Sequence, residues 1–302
     1  MPKPQTISGY EDMVTDACER VLVTLLRGLG PWKDSVFLVG GLAPRYLVTA
    51  RPPKVPKHAG TGDVDIVVDV GILTTTEAYS TLEENLKAMN FERAENDKGA
   101  KQSWRWRAEI EDGTTMILEF LADSPELGGG KVKELPSDGN VSALNIPHAS
   151  MVFDHHGTVE ITADLLNGKG RATEVVRYAD IVTFTCLKSF AFDQRFERKD
   201  AHDLIYCIEN LEGGVGAAQA AFGAALTGPH ADAICEALAR LAVRFRDPNP
   251  DESYLRDGPV AVASFEDDEA DVSADPDLLN ARILRQRHAA EIMADFLKAF
   301  EI

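Results

Sequence analysis

The stretch 62–69, Gly-Asp-Val-Asp-Ile-Val-Val-Asp, constrains the fold of this chain more than any other. Its apolar run of Val64, Ile66, Val67 and Val68 predicts a buried strand. Because side chains alternate across a strand, Asp63 and Asp65 should project from one face, about 7 Å apart. Carboxylates held on a rigid strand at that spacing can share a divalent metal ion. The stretch therefore predicts metal-dependent phosphoryl or nucleotidyl transfer.

A glycine pair precedes this strand. Residues 36–39, Val-Phe-Leu-Val, predict another buried strand, Gly40 and Gly41 a tight turn, and Leu42 the start of a helix. Glycines let backbone N–H groups and a helix N-terminus approach a triphosphate, because no Cβ intervenes. A Gly-Gly pair after a strand is usually only a turn, and Asp-x-Asp often lies at a solvated strand end. Their order along the chain makes the combination more specific than either part.

A third carboxylate is expected from a neighbouring strand. Residues 114–122, Thr-Thr-Met-Ile-Leu-Glu-Phe-Leu-Ala, predict that strand, and Glu119 is its one charged residue. A buried acid is costly unless it is paired or bound to a cation. The alternatives are that Glu119 faces solvent, or that Asp123 is the third acid. The turn Glu111-Asp112-Gly113 should fold residues 102–110 back against this strand as a hairpin.

Charged residues recur at helical spacing downstream of Asp180. If one helix continues from Ile181, one side of it carries Lys188, Phe192, Arg195, Lys199 and Asp203. An ordinary exposed face with a Lys199–Asp203 ion pair would give the same pattern. The apolar neighbours of Lys188 instead predict a sheltered ammonium group.

These motifs together resemble one known family. Gly40-Gly41, Asp63-x-Asp65, Lys188-Ser-Phe-Ala-Phe with Arg195, and Lys199-Asp200-Ala-His-Asp203-Leu are similar to the AbiEii/MenT nucleotidyltransferases of the DNA polymerase β-like superfamily. The resemblance covers roughly residues 35 to 210. It implies an α/β (α+β) nucleotidyltransferase fold with a mixed β-sheet over residues 1–178. A helical domain over residues 179–302 would contribute Lys188 and Asp203 to a nucleotide cleft.

The resemblance also implies roles for individual residues. Gly40 and Gly41 would contact phosphate, as would Lys188 and Arg195. Asp63 and Asp65 would hold Mg²⁺ or Mn²⁺, with Glu119 on the metal that activates the attacking hydroxyl. Asp203, with Asp200 of the same Asp-x-x-Asp-Leu motif, would complete the set, and Asp203 would either orient Lys188 or a neighbouring cation or act in catalysis itself. Two departures from the family pattern are Gly41, where a serine is common, and Lys199, where an arginine is common.

The resemblance implies transfer of a nucleoside monophosphate from an NTP to an RNA, with tRNA as the expected acceptor. Members of the family are toxins of bacterial toxin–antitoxin and phage-defence systems, so a cognate antitoxin is a further expected partner. Three alternatives stay open: transfer to a small hydroxyl compound such as an antibiotic, a non-catalytic homologue that binds a partner, and a glycosyltransferase. The last would not account for the segment from Lys188 to Asp203.

Charge bears on the choice of acceptor. The 302 residues include 31 basic and 49 acidic ones, a net charge of -18, which disfavours RNA binding. Ten of the acids lie between Asp251 and Asp277, a segment expected to be a solvated or disordered loop. Three basic clusters could still contact RNA: Lys98 to Arg107, Arg195 to Lys199, and Arg282 to His288. The sequence has no apolar run as long as a membrane span, and its first residues do not resemble a secretory signal. We therefore expect a cytoplasmic protein with no membrane partner.

Overall fold

The chain forms two compact units. A computed structural model describes residues 4–77, 81–110, 113–136, 139–267 and 275–300. The sheet unit comprises Asp12–Tyr46 and Gly60–Asp180, and the helical unit comprises Met1–Glu11, Leu47–Ala59 and Ile181–Ile302. The segment Leu47–Ala59 thus groups with the helical unit, although a boundary at 178/179 would assign it to the first domain.

The sheet unit contains nine strands and five short or medium helices among its described residues. The strands are β1 (Val36–Val39), β2 (Asp63–Val68), β3 (Glu92–Glu95), β4 (Lys101–Glu109), β5 (Thr115–Ala122), β6 (Val132–Glu134), β7 (Ser142–Asn145), β8 (His156–Asp164) and β9 (Arg171–Ala179). The helices are α1 (Asp12–Leu29), α2 (Pro44–Leu47), α3 (Val70–Thr75), α4 (Leu82–Ala88) and α5 (Met151–Asp154). Of these, α2 runs one residue into the helical unit.

The nine strands form one mixed sheet. The order is β3-β4-β5-β2-β1-β9-β8, and β7 pairs with both β5 and β6. The pairs β2–β5, β1–β9 and β5–β7 are parallel, whereas β1–β2, β3–β4, β4–β5, β6–β7 and β8–β9 are antiparallel. The expected β4–β5 hairpin is therefore confirmed, although Glu111 and Asp112 of its predicted turn lie outside the described residues.

The central strands are held by apolar packing against α1. Its apolar residues recur at helical spacing, and Cys18, Val21, Leu22, Leu25 and Leu29 are almost completely buried. They share one core with Val64 and Ile66 of β2 and Leu118 and Phe120 of β5. The packing of Val64 and Ile66 against α1 therefore holds the strand that carries Asp63 and Asp65 in a fixed position.

The helical unit consists of α6 (Ile181–Arg195), α7 (Arg198–Asn210), α8 (Gly214–Ala225), α9 (Ala231–Phe245), α10 (Asp257–Glu266) and α11 (Pro276–Lys298). The condition that one helix continues from Ile181 through Asp203 is not met. α6 ends at Arg195, Phe196 adopts a left-handed φ of 55°, and α7 begins at Arg198. A β-carbon is unfavourable in that conformation, so the break reflects tertiary packing rather than local preference.

Two other expectations need correction. The predicted loop from Asp251 to Asp277 is wrong in its first half, because α10 lies within it and buries Val262, Ala263 and Phe265. Asp268, Glu269 and Asp271 of that segment lie outside the described residues. The sequence of residues 74–89 also predicts one helix, whereas in the structure α3 ends at Thr75 and α4 begins at Leu82.

The architecture is therefore mixed α/β, with parallel and antiparallel strands in one sheet. Among the described helices, none combines the length and the apolar character that a membrane span requires.

Candidate functional site

Asp63 and Asp65 lie on β2, as predicted, and both are partly exposed. The carboxylate of Asp63 accepts a hydrogen bond of 2.7 Å from the hydroxyl of Thr61. Thr61 is itself buried, and its backbone N–H donates to the hydroxyl of Thr15 on α1 at 3.1 Å. The start of the strand is thus tied to the helix beneath it, which restricts the position of the first acid.

Gly40 lies directly against the second acid. Its φ is 69°, in the left-handed region, and an added Cβ would come within 2.0 Å of Oδ2 of Asp65. Val39 on β1 is paired with Asp65 on β2, so the antiparallel register brings the turn to this carboxylate. Glycine is needed at this position both for the backbone conformation and for the close approach.

Glu119 is the third acid that the sheet brings to this place. Parallel pairing of β2 with β5 puts Glu119 opposite Asp65, so both side chains lie on the same face. Glu119 forms an ion pair: its Oε1 lies 2.9 Å from Nε of Arg105, its cross-strand neighbour on β4. The side chain of Glu119 keeps 19% of its surface exposed. A metal ion that took Glu119 as a ligand would compete with this arginine.

Asp123, the alternative third acid, follows the end of β5. Its Oδ2 accepts a hydrogen bond of 2.6 Å from the hydroxyl of Ser150. Asp123 is not opposite either acid of β2 in the strand register. Its position favours a role in fixing the loop before α5 more than a shared metal site.

The two acids of β2 also act on their surroundings. Burial raises the pKa of the Cys18 thiol well above its usual value, and the charges of Asp63 and Asp65 raise it further. Cys18 is fully buried on α1 and therefore remains a neutral thiol beneath the carboxylates. The site thus concentrates negative charge on one face of the sheet, a donor set of hard oxygens that suits Mg²⁺ or Mn²⁺.

In the helical unit, Lys188 is the centre of a buried charge network. Nζ of Lys188 lies 2.8 Å from Asp200 and 2.7 Å from Asp203, and both carboxylates are almost completely buried. Burial alone would lower the pKa of Lys188, but the two carboxylates outweigh it and raise the pKa above the usual value. The predicted sheltered ammonium is present as a lysine held between two acids.

Arg195 joins the same network from the end of α6. Its guanidinium donates to both oxygens of Asp200, at 2.7 and 2.9 Å, while about half of its side chain stays exposed. Burial opposes ionisation of Asp200, yet Lys188 and Arg195 together hold its pKa below the usual value. Of the two cations expected to contact phosphate, Arg195 is the more accessible.

Asp203 has two further neighbours, Lys199 and His58. Nζ of Lys199 lies 2.8 and 2.9 Å from its two oxygens, and Nε2 of His58 lies 2.9 Å from Oδ1. Burial lowers the pKa of Lys199 despite this contact, and it lowers the pKa of His58 to about 4. Asp203 is thus in contact with Lys188, Lys199 and His58.

The sequence did not single out His58, Thr61 or Arg45. Arg45 follows the glycine turn on α2 and pairs with Asp16 at 2.8 Å and with Glu19 at 3.1 Å. Thr61 could have been suspected from its position two residues before Asp63. Nothing near His58 in the chain indicates a contact with Asp203, 145 residues away.

Among described residues, the donor atoms of His58, His202 and Asp203 lie within 4.8 Å of one another, and those of Asp63, Asp65 and Glu119 do not form such a group. The hydrogen bond from Thr61 and the ion pair with Arg105 restrain two of the three acids of the sheet unit. Comparison with family models and with curated proteins gave no match to this chain.

Proposed function

We propose that this chain is a metal-dependent nucleotidyltransferase that transfers a nucleoside monophosphate from an NTP to an RNA acceptor. The observation that carries the proposal is the arrangement of Gly40, Asp65 and Glu119. The strand register places these residues side by side, with the carboxylate of Asp65 against the glycine turn. Asp63 adds a second acid on the same face of β2.

This arrangement supports phosphoryl-group chemistry because such transfer depends mainly on positioning and charge neutralisation. Asp63 and Asp65 would hold Mg²⁺ or Mn²⁺, and the metal would neutralise the triphosphate and the departing pyrophosphate. Glu119 would have to leave Arg105 to join them. Gly40 and Gly41 would bring backbone close to phosphate.

Lys188, Arg195 and Asp203 belong to the proposal through the resemblance of the sequence to AbiEii/MenT enzymes. The ion pairs described above are compatible with a role for Arg195 on the nucleotide phosphates, since its side chain is accessible. We assign Asp203 to the positioning of Lys188, which it contacts at 2.7 Å. The resemblance also suggests tRNA as the acceptor and a toxin–antitoxin or phage-defence role.

The net charge of -18 favours a second candidate, transfer to a small hydroxyl compound, because an acidic protein repels an RNA backbone. Both candidates share the same metal and NTP chemistry. They differ in the acceptor alone.

The test is incubation of the purified chain with each α-³²P-labelled NTP, Mg²⁺ and total RNA, with small hydroxyl acceptors in parallel reactions. The proposal expects label on an RNA species with one preferred NTP, and loss of labelling in Asp65→Asn. Label on a small compound alone would select the second candidate. Absence of transfer with either acceptor class under Mg²⁺ and Mn²⁺ would contradict both.

A further inference from the structure

A cluster of side chains of metal-ligating types lies in the helical unit. His202 and Asp203 are neighbours on α7, and His58 lies in the segment Leu47–Ala59. One donor atom from each of these three residues lies within 4.8 Å of the others. The segment that carries His58 has no helix or strand after Leu47, so side-chain contacts must hold it in place.

His202 is oriented in a way that is typical of a metal ligand. It is 3% exposed, and its Nδ1 lies 2.9 Å from Oε1 of Glu266. Arg285 holds that glutamate at 2.6 and 2.9 Å. A carboxylate on one ring nitrogen fixes the proton there and leaves the other nitrogen as the ligand atom. Among the described residues, Nε2 of His202 is buried and has no hydrogen-bond partner.

A buried nitrogen without a partner is costly, so this atom calls for a physical explanation. A metal ion would provide one, because it would accept the lone pair of Nε2. His58 and Asp203 supply the second nitrogen and an oxygen, and their 2.9 Å contact puts both donors at the same place. The rings of His58 and His202 are stacked with centroids 5.7 Å apart, which keeps the two imidazoles side by side.

We propose that His58, His202 and Asp203 bind a Zn²⁺-type transition metal ion that fastens the segment Leu47–Ala59 to α7. Two imidazoles and one carboxylate suit Zn²⁺ better than Mg²⁺, which prefers an all-oxygen shell. Metal–ligand bonds of about 2.0–2.2 Å require the three donor atoms to lie closer together than 4.8 Å. Rotation of the side chains would bring them closer. A water molecule would complete a tetrahedral shell.

Lys188 and Lys199 contact Asp203 and therefore affect how strongly it would bind a metal ion. Oδ1 of Asp203 accepts from Lys199 at 2.9 Å, and Oδ2 accepts from Lys199 and Lys188 at 2.8 and 2.7 Å. The metal ion would take Oδ1 and replace the hydrogen bond from His58, while both lysines would remain on Oδ2. Because these two cations repel a third, binding should be weaker than at a site built from cysteine thiolates.

The test measures metal binding alone, without nucleotide. The wild-type chain is stripped with a chelator, dialysed against excess Zn²⁺ and then against metal-free buffer, and its zinc content is measured. We expect about one Zn²⁺ per chain, a Tm several degrees above that of the stripped protein, and a loss of both effects in His58→Gln and in His202→Gln. His288→Gln is the matched control, because His288 also bonds a glutamate, Glu209 at 2.8 Å, but is about half exposed.

Co²⁺ provides a readout that does not depend on the variants. In the wild-type chain it should give the intense visible absorption of a tetrahedral site, and an excess of Zn²⁺ should remove it. No bound zinc and no such absorption in the wild-type chain would overturn the proposal, as would an equal loss of zinc in His288→Gln. Because no NTP is present, either result leaves the proposed nucleotidyltransferase activity to its own experiment.

Discussion

At the scale of one residue, a comparison of Gly40 with Gly30 separates two reasons for a glycine: a left-handed φ and a close contact that leaves no room for a Cβ. Both have left-handed φ angles, 69° and 59°, but an added Cβ at Gly40 meets Asp65 at 2.0 Å, whereas Gly30 has open space within 4 Å. Alanine at Gly30 should therefore cost only the conformational strain, about 1 kcal/mol of the free energy of unfolding. Alanine at Gly40 must in addition displace the Asp65 carboxylate.

We expect Gly40→Ala to lower nucleotide transfer on the order of 100-fold, and Gly30→Ala to leave it near the wild-type rate. Thermal or urea unfolding of both variants measures the strain, and the labelled-NTP reaction measures transfer. Equal rates in the two variants would mean that the contact between Gly40 and Asp65 has no part in the reaction.

The acids of β2 and the acid that follows it offer a second comparison. Asp69 caps α3, accepting from the N–H groups of Gly71 and Ile72 at 2.8 and 3.1 Å. Asp69→Ala should lower stability by about 1 kcal/mol and keep activity, since it removes only a helix cap. Asp63→Ala and Asp65→Ala should abolish nucleotide transfer, because they remove metal ligands. They should not lower stability, because they relieve repulsion between acids. Full activity of Asp65→Ala would contradict the assignment of the metal site.

At the residue scale, the sequence predicted what depends on local spacing. Asp63, Asp65 and Gly40 could be found because they lie close together in the chain within a pattern of alternating or turn residues. The ion pair of Glu119 with Arg105 depends on the register of two strands, which the sequence does not fix. His58 could not be predicted, since only tertiary structure brings it to Asp203.

At the scale of elements, the break between α6 and α7 determines how the lysine network forms. The turn at Phe196 and Glu197 lets α7 fold back so that Asp200 reaches both Lys188 and Arg195. Removal of one partner from a buried ion pair typically costs 3–5 kcal/mol, because the other charge stays buried. A simple Lys188→Met variant would therefore confuse loss of stability with loss of nucleotide binding.

We expect Lys188→Met to lower stability by about 3 kcal/mol, and Lys188→Met with Asp200→Asn to recover part of that loss, because the second change removes a buried carboxylate that has lost one of its two cationic partners. If Lys188 has a role on the nucleotide, the stabilised double variant should still bind NTP weakly in an equilibrium titration. Asp200→Asn alone is the matched control. Wild-type NTP affinity in the double variant would limit Lys188 to a structural role.

The acids of the helical unit also predict a pH dependence. Burial opposes ionisation of Glu266, but His202 and Arg285 lower its pKa to about 2, and the pKa of Asp200 is lowered as well. An acid whose pKa is lower in the folded state binds protons preferentially when unfolded, so it stabilises the fold above its unfolded pKa. That stability is lost as pH falls from about 4.5 towards 2. Urea unfolding of the metal-free chain across this range should show the decline, and a flat profile would contradict it.

The elements themselves were predictable where one periodicity dominates. The sequence predicted the core strands β1, β2, β4 and β5. It did not predict the break after Arg195, because Phe196 has no local reason to adopt a left-handed conformation. The sequence did not predict α10, because the many acids of this segment indicated a solvated loop. The structure buries the apolar residues Val262, Ala263 and Phe265 among them.

At the scale of the whole molecule, the balance of charge bears on the choice between an RNA and a small acceptor. Several cations of the predicted basic clusters are engaged with acids: Arg105 with Glu119, Arg107 with Glu92, and Arg195 with Asp200. These cations are less available to phosphate than a count of basic residues suggests. Exposed cations such as Arg198, Lys98 and Lys101 remain the better candidates for contact with an RNA backbone.

The last prediction uses salt to decide between the acceptors. If the acceptor is RNA, each phosphate contact releases counterions, so the association constant should fall steeply between about 50 and 200 mM salt. Arg198→Gln should weaken binding and reduce the log–log slope by about 1, because one contact is lost. Arg171→Gln is the matched control, an exposed arginine on β9 that lies outside the three predicted basic clusters. Filter binding of tRNA at several salt concentrations gives the slopes. If the acceptor is a small hydroxyl compound, transfer to it should change little over this range of salt, and both arginine variants should behave like the wild-type chain.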